Sequence, residues 1–172
     1  MIIKSLLICD DPKRYGDKKP SMAQAANVEE EARVMKILSG LTFEIVLERA
    51  LRAALYPGLF RPEPVCVDGV WMSPDGIDPH EWAIHEFKLT WYSKKKPCPT
   101  DKVFWPWVIQ IKSYSRAIGA LVAYLTVYFI NTDYAPPRPS PPVTYRLEFT
   151  AFELDQCWTM VINHGKLMGI LQ

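Results

Sequence analysis

Apolar positions along this chain recur with two different periods, and the changes of period mark out its elements. Residues 2–9 form a short apolar run that predicts a strand, and residues 10–21 are polar and proline-containing, as a loop would be. Residues 23–38 place Val28, Ala32, Met35 and Leu38 at helical spacing, with Gly40 just beyond as a stop. Residues 41–56 carry the clearest helical stripe, Phe43, Leu47, Ala50, Leu51, Ala54 and Leu55, ended by Pro57-Gly58. Residues 61–70 predict a strand entered through prolines, with Asp68-Gly69 as a turn. Two further turns follow, Ser73-Pro74-Asp75-Gly76 and residues 77–81 around Pro79. Residues 82–90 are bulky and alternating, which predicts a strand. After a lysine- and proline-rich loop at 93–100, residues 103–120 predict a helix from about Pro106, a residue suited to a first turn. Residues 121–130 are β-branched and aromatic, as in a buried strand, and residues 143–149 alternate as a half-exposed one, with a proline-rich loop between them. Residues 152–171 predict a closing helix broken near Gly165. The order is helix, strand, strand, helix, strand, strand, helix. It predicts a mixed α/β domain, a central sheet flanked by helices, with polar groups where strand ends meet one helix.

Composition changes this picture little. A chain of 172 residues suits one domain with a sizeable core, and its 49% hydrophobic and 23% charged content is ordinary. Net charge is +1, so a nucleic-acid surface would have to be a local patch. Lys94, Lys95 and Lys96, and Lys112 with Arg116, are the candidates; a charge run is equally at home in a solvated loop. Cys9, Cys66, Cys98 and Cys157 are scattered without Cys-x-x-Cys spacing, which argues against a zinc or redox site and for free, mostly buried thiols in a reducing compartment. The first residues lack the apolar length and cleavage site of a signal peptide, and the longest apolar run, residues 117–130, is too short to span a membrane. A cytosolic protein is expected.

The candidate chemistry lies between Trp71 and Trp91. Asp75 sits in a turn, and eleven residues later comes Glu86-Phe87-Lys88. On a strand, Glu86 and Lys88 share one face with Phe87 opposite. A turn ending in Asp beside that strand gathers two carboxylates and an ammonium, which suits metal-assisted phosphate chemistry. Taken singly, Asp-Gly is ordinary turn chemistry and Glu-x-Lys an ordinary solvated face. Glu44 lies beside the apolar stripe near a helix start, while Glu48, four before Arg52, reads as half of a surface ion pair. Gln110 and Tyr114 are one helical turn apart, either as a surface hydrogen-bonding pair or as part of a site.

Four motifs in order resemble those of the PD-(D/E)xK nuclease superfamily, in particular lambda exonuclease and YqaJ relatives and the RecB-like phage nucleases. They are Gly40-x-x-x-Glu44, Ser73-Pro74-Asp75-Gly76, Glu86-Phe87-Lys88 and Gln110-x-x-x-Tyr114. The resemblance implies a restriction-endonuclease-like α/β core, a central mixed sheet flanked by helices, with residues 1–172 as a single nuclease domain. It implies a Mg2+- or Mn2+-dependent deoxyribonuclease, an exonuclease in preference to an endonuclease, acting in DNA recombination, repair or phage DNA processing. Asp75, Glu86 and the Phe87 carbonyl would hold metal, joined by Glu44. Lys88 would orient the attacking water, and Gln110 and Tyr114 would position substrate. Glu48 and Asp78 are further carboxylates that could approach the metal. DNA would run along Lys94, Lys95, Lys96 and Arg116, with Trp91, Tyr92 or Trp105 for base stacking. The same site would serve a structure-specific or nicking endonuclease, and a non-catalytic DNA-binding protein could keep the fold. A cytoplasmic setting in a bacterium or phage-infected cell is implied, and the resemblance leaves open a homo-oligomer and a single-strand annealing partner.

Overall fold

The computed structural model describes residues 22–54, 56–91, 98–130 and 141–172, with the side chains of residues 22–32, 35–37 and 44 outside that description. The expected strand at 2–9, the loop at 10–21, Tyr92, Lys94, Lys95, Lys96 and the greater part of the proline-rich loop therefore lie outside the described residues.

Helix α1 spans Met22–Ala54, 33 residues in one run, where two helices separated at Gly40 were expected. Glycine in a helix interior costs only about 1 kcal/mol relative to alanine, and the flanking sequence favours helix on both sides. A Cβ added at Gly40 would meet nothing within 4 Å, so no close packing demands glycine there. The predicted strand at 61–70 is instead the first half of a hairpin, β1 (Val65–Val67) and β2 (Val70–Met72), paired antiparallel. Asp68 and Gly69 both have positive φ, 49° and 79°, the handedness a two-residue turn needs to match the twist of its strands.

The main sheet has the order β3-β4-β5-β6, formed by Gly76–Asp78, Ala83–Thr90, Val122–Phe129 and Val143–Glu148. β4 runs antiparallel to β3 and parallel to β5, and β5 runs antiparallel to β6. A parallel pair needs a crossover, and α2 (Trp105–Ile118) supplies it, with Pro106 in its first turn and Gly119 in the left-handed region at its end. α3 (Ala151–Leu167) begins at a capping box in which Thr150 and Glu153 satisfy each other's backbone N–H groups. It runs through Gly165 rather than breaking there. Gly165 is instead where the chain end folds back: Ile170 and Leu171 N–H both donate to its carbonyl, and an added Cβ would stand 2.6 Å from Leu171 Cδ1.

The register sorts the sheet residues onto two faces. Ile84, Glu86, Lys88, Leu125, Val127 and Phe129 share one, and His85, Phe87, Tyr124, Thr126 and Tyr128 share the other. α2 and α3 cover the first, where Ile84, Leu125, Val127 and Phe129 meet Ile111, Tyr114, Phe104 and Trp158 in the core. α1 lies over the second, Phe43 against Tyr128 with ring centroids 5.6 Å apart. Trp158 Nε1 donates to Asp68 Oδ2 at 2.8 Å, which ties the hairpin to α3. The result is the expected α/β architecture, a mixed four-stranded sheet flanked by helices. No helix among the described residues is long and apolar enough to cross a membrane.

Candidate active site

The site forms where β4 runs on beyond the start of β3. Gly76 pairs with His85, so Asp75, one residue before β3, stands opposite Glu86. Gly76 has no room for a side chain, since a Cβ would lie 3.0 Å from Leu59 Cδ1. With no β3 backbone left to pair, the Asp75 carboxylate continues the ladder: Phe87 N–H donates to its Oδ2 at 3.0 Å. In an extended strand the N–H and C=O of one residue lie on the same edge, so the Phe87 carbonyl opens toward Asp75 too. Asp75 is 1% exposed and Glu86 is fully buried.

Buried carboxylates need compensation. Lys88, two residues along the same face, gives its ammonium to Glu86 Oε1 and donates to Gln110 Oε1 at 2.9 Å. Gln110 Nε2 donates to the Tyr114 hydroxyl, one turn along α2, at 2.6 Å. Arg61 lies on the other side, its Nη2 3.9 Å from Asp75 Oδ1. Asp75, Glu86, Phe87, Lys88, Gln110 and Tyr114 are thus brought together: Asp75 is held on the Phe87 amide, and side-chain contacts run from Glu86 through Lys88 and Gln110 to Tyr114 on α2.

The other candidates are distributed differently. Glu44 is in α1, with its side chain outside the described residues. Glu48 accepts from Arg52 at 2.6 Å, the surface pair its spacing predicts. Asp78 falls on the opposite face of the sheet from Glu86 and accepts from His80 N–H at 2.9 Å. Arg116 is on α2 but turns to α3, where it pairs with Asp155, and Lys112 sits over the Phe149 ring at 5.3 Å. Neither joins the contacts around Glu86. Trp91 and Trp105 are exposed. Cys157 is buried but Cys66 is exposed, against the expectation of mostly buried thiols.

The donor set fits a hard cation. Its described members are oxygens only, two carboxylates and a carbonyl, and among the described residues no group of three or more His, Cys, Asp or Glu side chains could hold a metal. Mg2+ needs only one or two carboxylates and keeps several waters, whereas a structural zinc site would call for four nitrogen or sulfur ligands.

Sequence reasoning passed over Arg61 and His85. Arg61 sits in an aperiodic, proline-flanked stretch that carries no local signal. His85 lies between Glu86 and the sheet's other helix, edge-on to Tyr56 at 4.8 Å and stacked on Tyr124 at 4.9 Å between centroids. Neither ring nitrogen has a hydrogen-bond partner among the described residues. Burial pushes its pKa down to about 4, against the opposing pull of Asp78 and Glu81. Glu81 is itself held below the usual carboxylate range by hydrogen bonds from Tyr124 and Arg146.

No protein-family model matches the chain, and no curated protein matches it in sequence. Among solved structures, SSO0001 aligns over 92% of this chain and 85% of its own at 13% identity, with a TM-score of 0.44, too low to bear on the fold. The crystal structure of an alkaline exonuclease from Laribacter hongkongensis (LHK-Exo) aligns over 75% of this chain at 18% identity with a TM-score of 0.52. The aligned part spans 66% of that exonuclease's length, and the likeness is one of fold.

Proposed function

We propose that this chain is a Mg2+- or Mn2+-dependent nuclease that hydrolyses phosphodiester bonds of DNA, acting on linear DNA as an exonuclease. The observation that carries the reading is the placing of Asp75, which accepts from Phe87 N–H, beside Glu86, whose partner Lys88 is linked through Gln110 to Tyr114. Two buried carboxylates and a held ammonium at a strand edge are costly to assemble for stability alone. The likeness in fold to an alkaline exonuclease supports the same reading.

Asp75, Glu86 and the Phe87 carbonyl would hold the cation, with Glu44 as a further ligand. A divalent cation supplies charge that polarises the phosphate and lowers the pKa of water. Lys88 would orient the attacking water or meet the charge developing on the phosphate. Gln110, braced by Tyr114, fixes the ammonium so that this geometry exists before substrate arrives. Lys94, Lys95 and Lys96, which follow β4 in sequence, are the proposed contacts to the DNA backbone.

The test is cleavage of linear and of closed circular DNA with Mg2+ or Mn2+, wild type beside Lys88→Ala. Degradation of the linear form alone, lost in the variant, is the expected result. Nicking of the circle, again lost in the variant, would replace the exonuclease reading with an endonuclease. DNA binding without cleavage of either form, and without Mn2+ binding, would leave a non-catalytic protein.

A further inference from the structure

The segment before β1 is fixed to the site's edge. Phe60 and Ile77 exchange both backbone hydrogen bonds, at 3.1 and 2.8 Å, as an isolated bridge on the outer side of β3. The next residue, Arg61, therefore stands beside Gly76 and next to Asp75. Pro62 follows it and biases its backbone toward an extended form. The anchor is firm, whereas the head group is not buried: the Arg61 side chain is 38% exposed and that of Asp75 1%. The guanidinium reaches Asp75 Oδ1 at 3.9 Å, beyond hydrogen-bond length, while the second oxygen is engaged by Phe87 N–H.

Charge suggests what this arrangement is for. Among the described side chains, Lys88 pairs with Glu86 and Arg61 stands beside Asp75, so each of the two buried carboxylates has a cation close by. A dication bound to the same carboxylates would repel the guanidinium from Asp75 and leave it to pair with an anion such as phosphate. A guanidinium is the side chain best suited to a phosphate, which it can meet with two parallel hydrogen bonds.

We propose that Arg61 is a phosphate clamp that exchanges partners: it compensates Asp75 while no metal is bound and turns to a backbone phosphate of the DNA strand when a divalent cation takes its place. This rests on the nuclease reading above and adds to it a residue that couples metal loading to substrate binding. Asp75 then never stands buried without a positive neighbour, and the DNA contact strengthens only once the site is loaded.

The experiment compares wild type, Arg61→Gln and Arg61→Lys in two assays. Mn2+ binding is followed by calorimetry without DNA, and KM and kcat for linear DNA are measured over a range of salt. The expected result for Arg61→Gln is Mn2+ affinity about two- to fivefold above wild type, because the cation no longer displaces a guanidinium; unchanged affinity beside a raised KM would overturn the exchange. The KM of Arg61→Gln should be about tenfold higher, and the salt dependence of binding weaker by about one counterion. Arg61→Lys should recover the salt dependence and only part of the KM, because an ammonium lacks the fork. Mn2+ affinity that falls in step with the rise in KM would show that Arg61 merely supports Asp75, and would overturn the exchange. Unchanged KM and Mn2+ affinity in a cleaving enzyme would overturn it while leaving the nuclease reading intact. Wild-type protein that neither binds Mn2+ nor cleaves DNA would overturn both.

Discussion

Strand β4 carries two different kinds of burial on its two faces. On one, Glu86 and Lys88 lie beneath α2, charged, close to one another, and linked through Gln110 to Tyr114. On the other, His85 and Phe87 lie beneath the end of α1, and the imidazole is held among Tyr56 and Tyr124 with no polar partner among the described residues. A side chain that can discard its charge needs no counter-ion when buried, and His85 does so by moving its pKa down to about 4. A buried ion pair needs a network, and that network is the feature on which the proposed site rests. Titratable burial by itself therefore points nowhere: both faces have it, and only one has opposed charges sunk below the surface beside the open strand edge.

The largest expected effect comes from breaking that network. Lys88→Met leaves Glu86 buried beside no ammonium from its own face and should cost about 3–5 kcal/mol in denaturant unfolding. Adding Glu86→Gln should return most of the loss. A wild-type midpoint for Lys88→Met alone would mean that Glu86 does not depend on the pair.

His85 should show itself through pH. Folded, its imidazole takes up a proton only near pH 4, whereas in the unfolded chain it does so near the ordinary 6.5. As pH falls through that window the unfolded chain binds the extra proton first, so stability declines from about 6.5 and the loss is complete below about 4. Its ceiling is about 3 kcal/mol at 1.36 kcal/mol per pKa unit. His85→Leu should flatten the decline between these limits, whatever its own starting stability. An unaltered pH slope in that variant would remove His85 as the cause.

Gly76→Ala presses on Leu59 and shifts the start of β3, for an expected loss of about 1–3 kcal/mol. If Asp75 is displaced with it, the Phe87 amide proton should lose protection in hydrogen exchange. The smallest effect is that of Tyr114→Phe, which removes the acceptor for Gln110 Nε2, about 1 kcal/mol in stability. Intact Phe87 protection in Gly76→Ala would separate strand placement from the Asp75 contact.

The sequence made β4, α2, β5 and β6 legible because each carries its own period and its own stop. Gly40 and Gly165 were misleading for one shared reason, that glycine weakens a helix without ending it. β3 was hidden inside a run of turn residues, since three residues acquire strand character only from the partner they pair with. The same holds for residues 61–70, where a two-residue turn converts one expected strand into two. Within the site, Asp75, Glu86, Lys88, Gln110 and Tyr114 could be proposed from motif and spacing. Arg61 could not, because its place beside Asp75 depends on the bridge between Phe60 and Ile77 and on no local pattern. Arg116 was suggested as a DNA contact by its charge and its helix; the structure pairs it with Asp155 of α3 at an exposed position, which sequence spacing could not show.

The most direct test of the central claim is the rate of linear DNA cleavage by Glu86→Gln with saturating Mn2+, set beside its unfolding midpoint. Glutamine keeps the shape of the side chain and removes the charge that would hold the cation. The account predicts a rate lower by about 100- to 1,000-fold in a protein that remains folded. Cleavage at the wild-type rate by folded Glu86→Gln would contradict it, and the charged face of β4 would then have to be explained as structure alone.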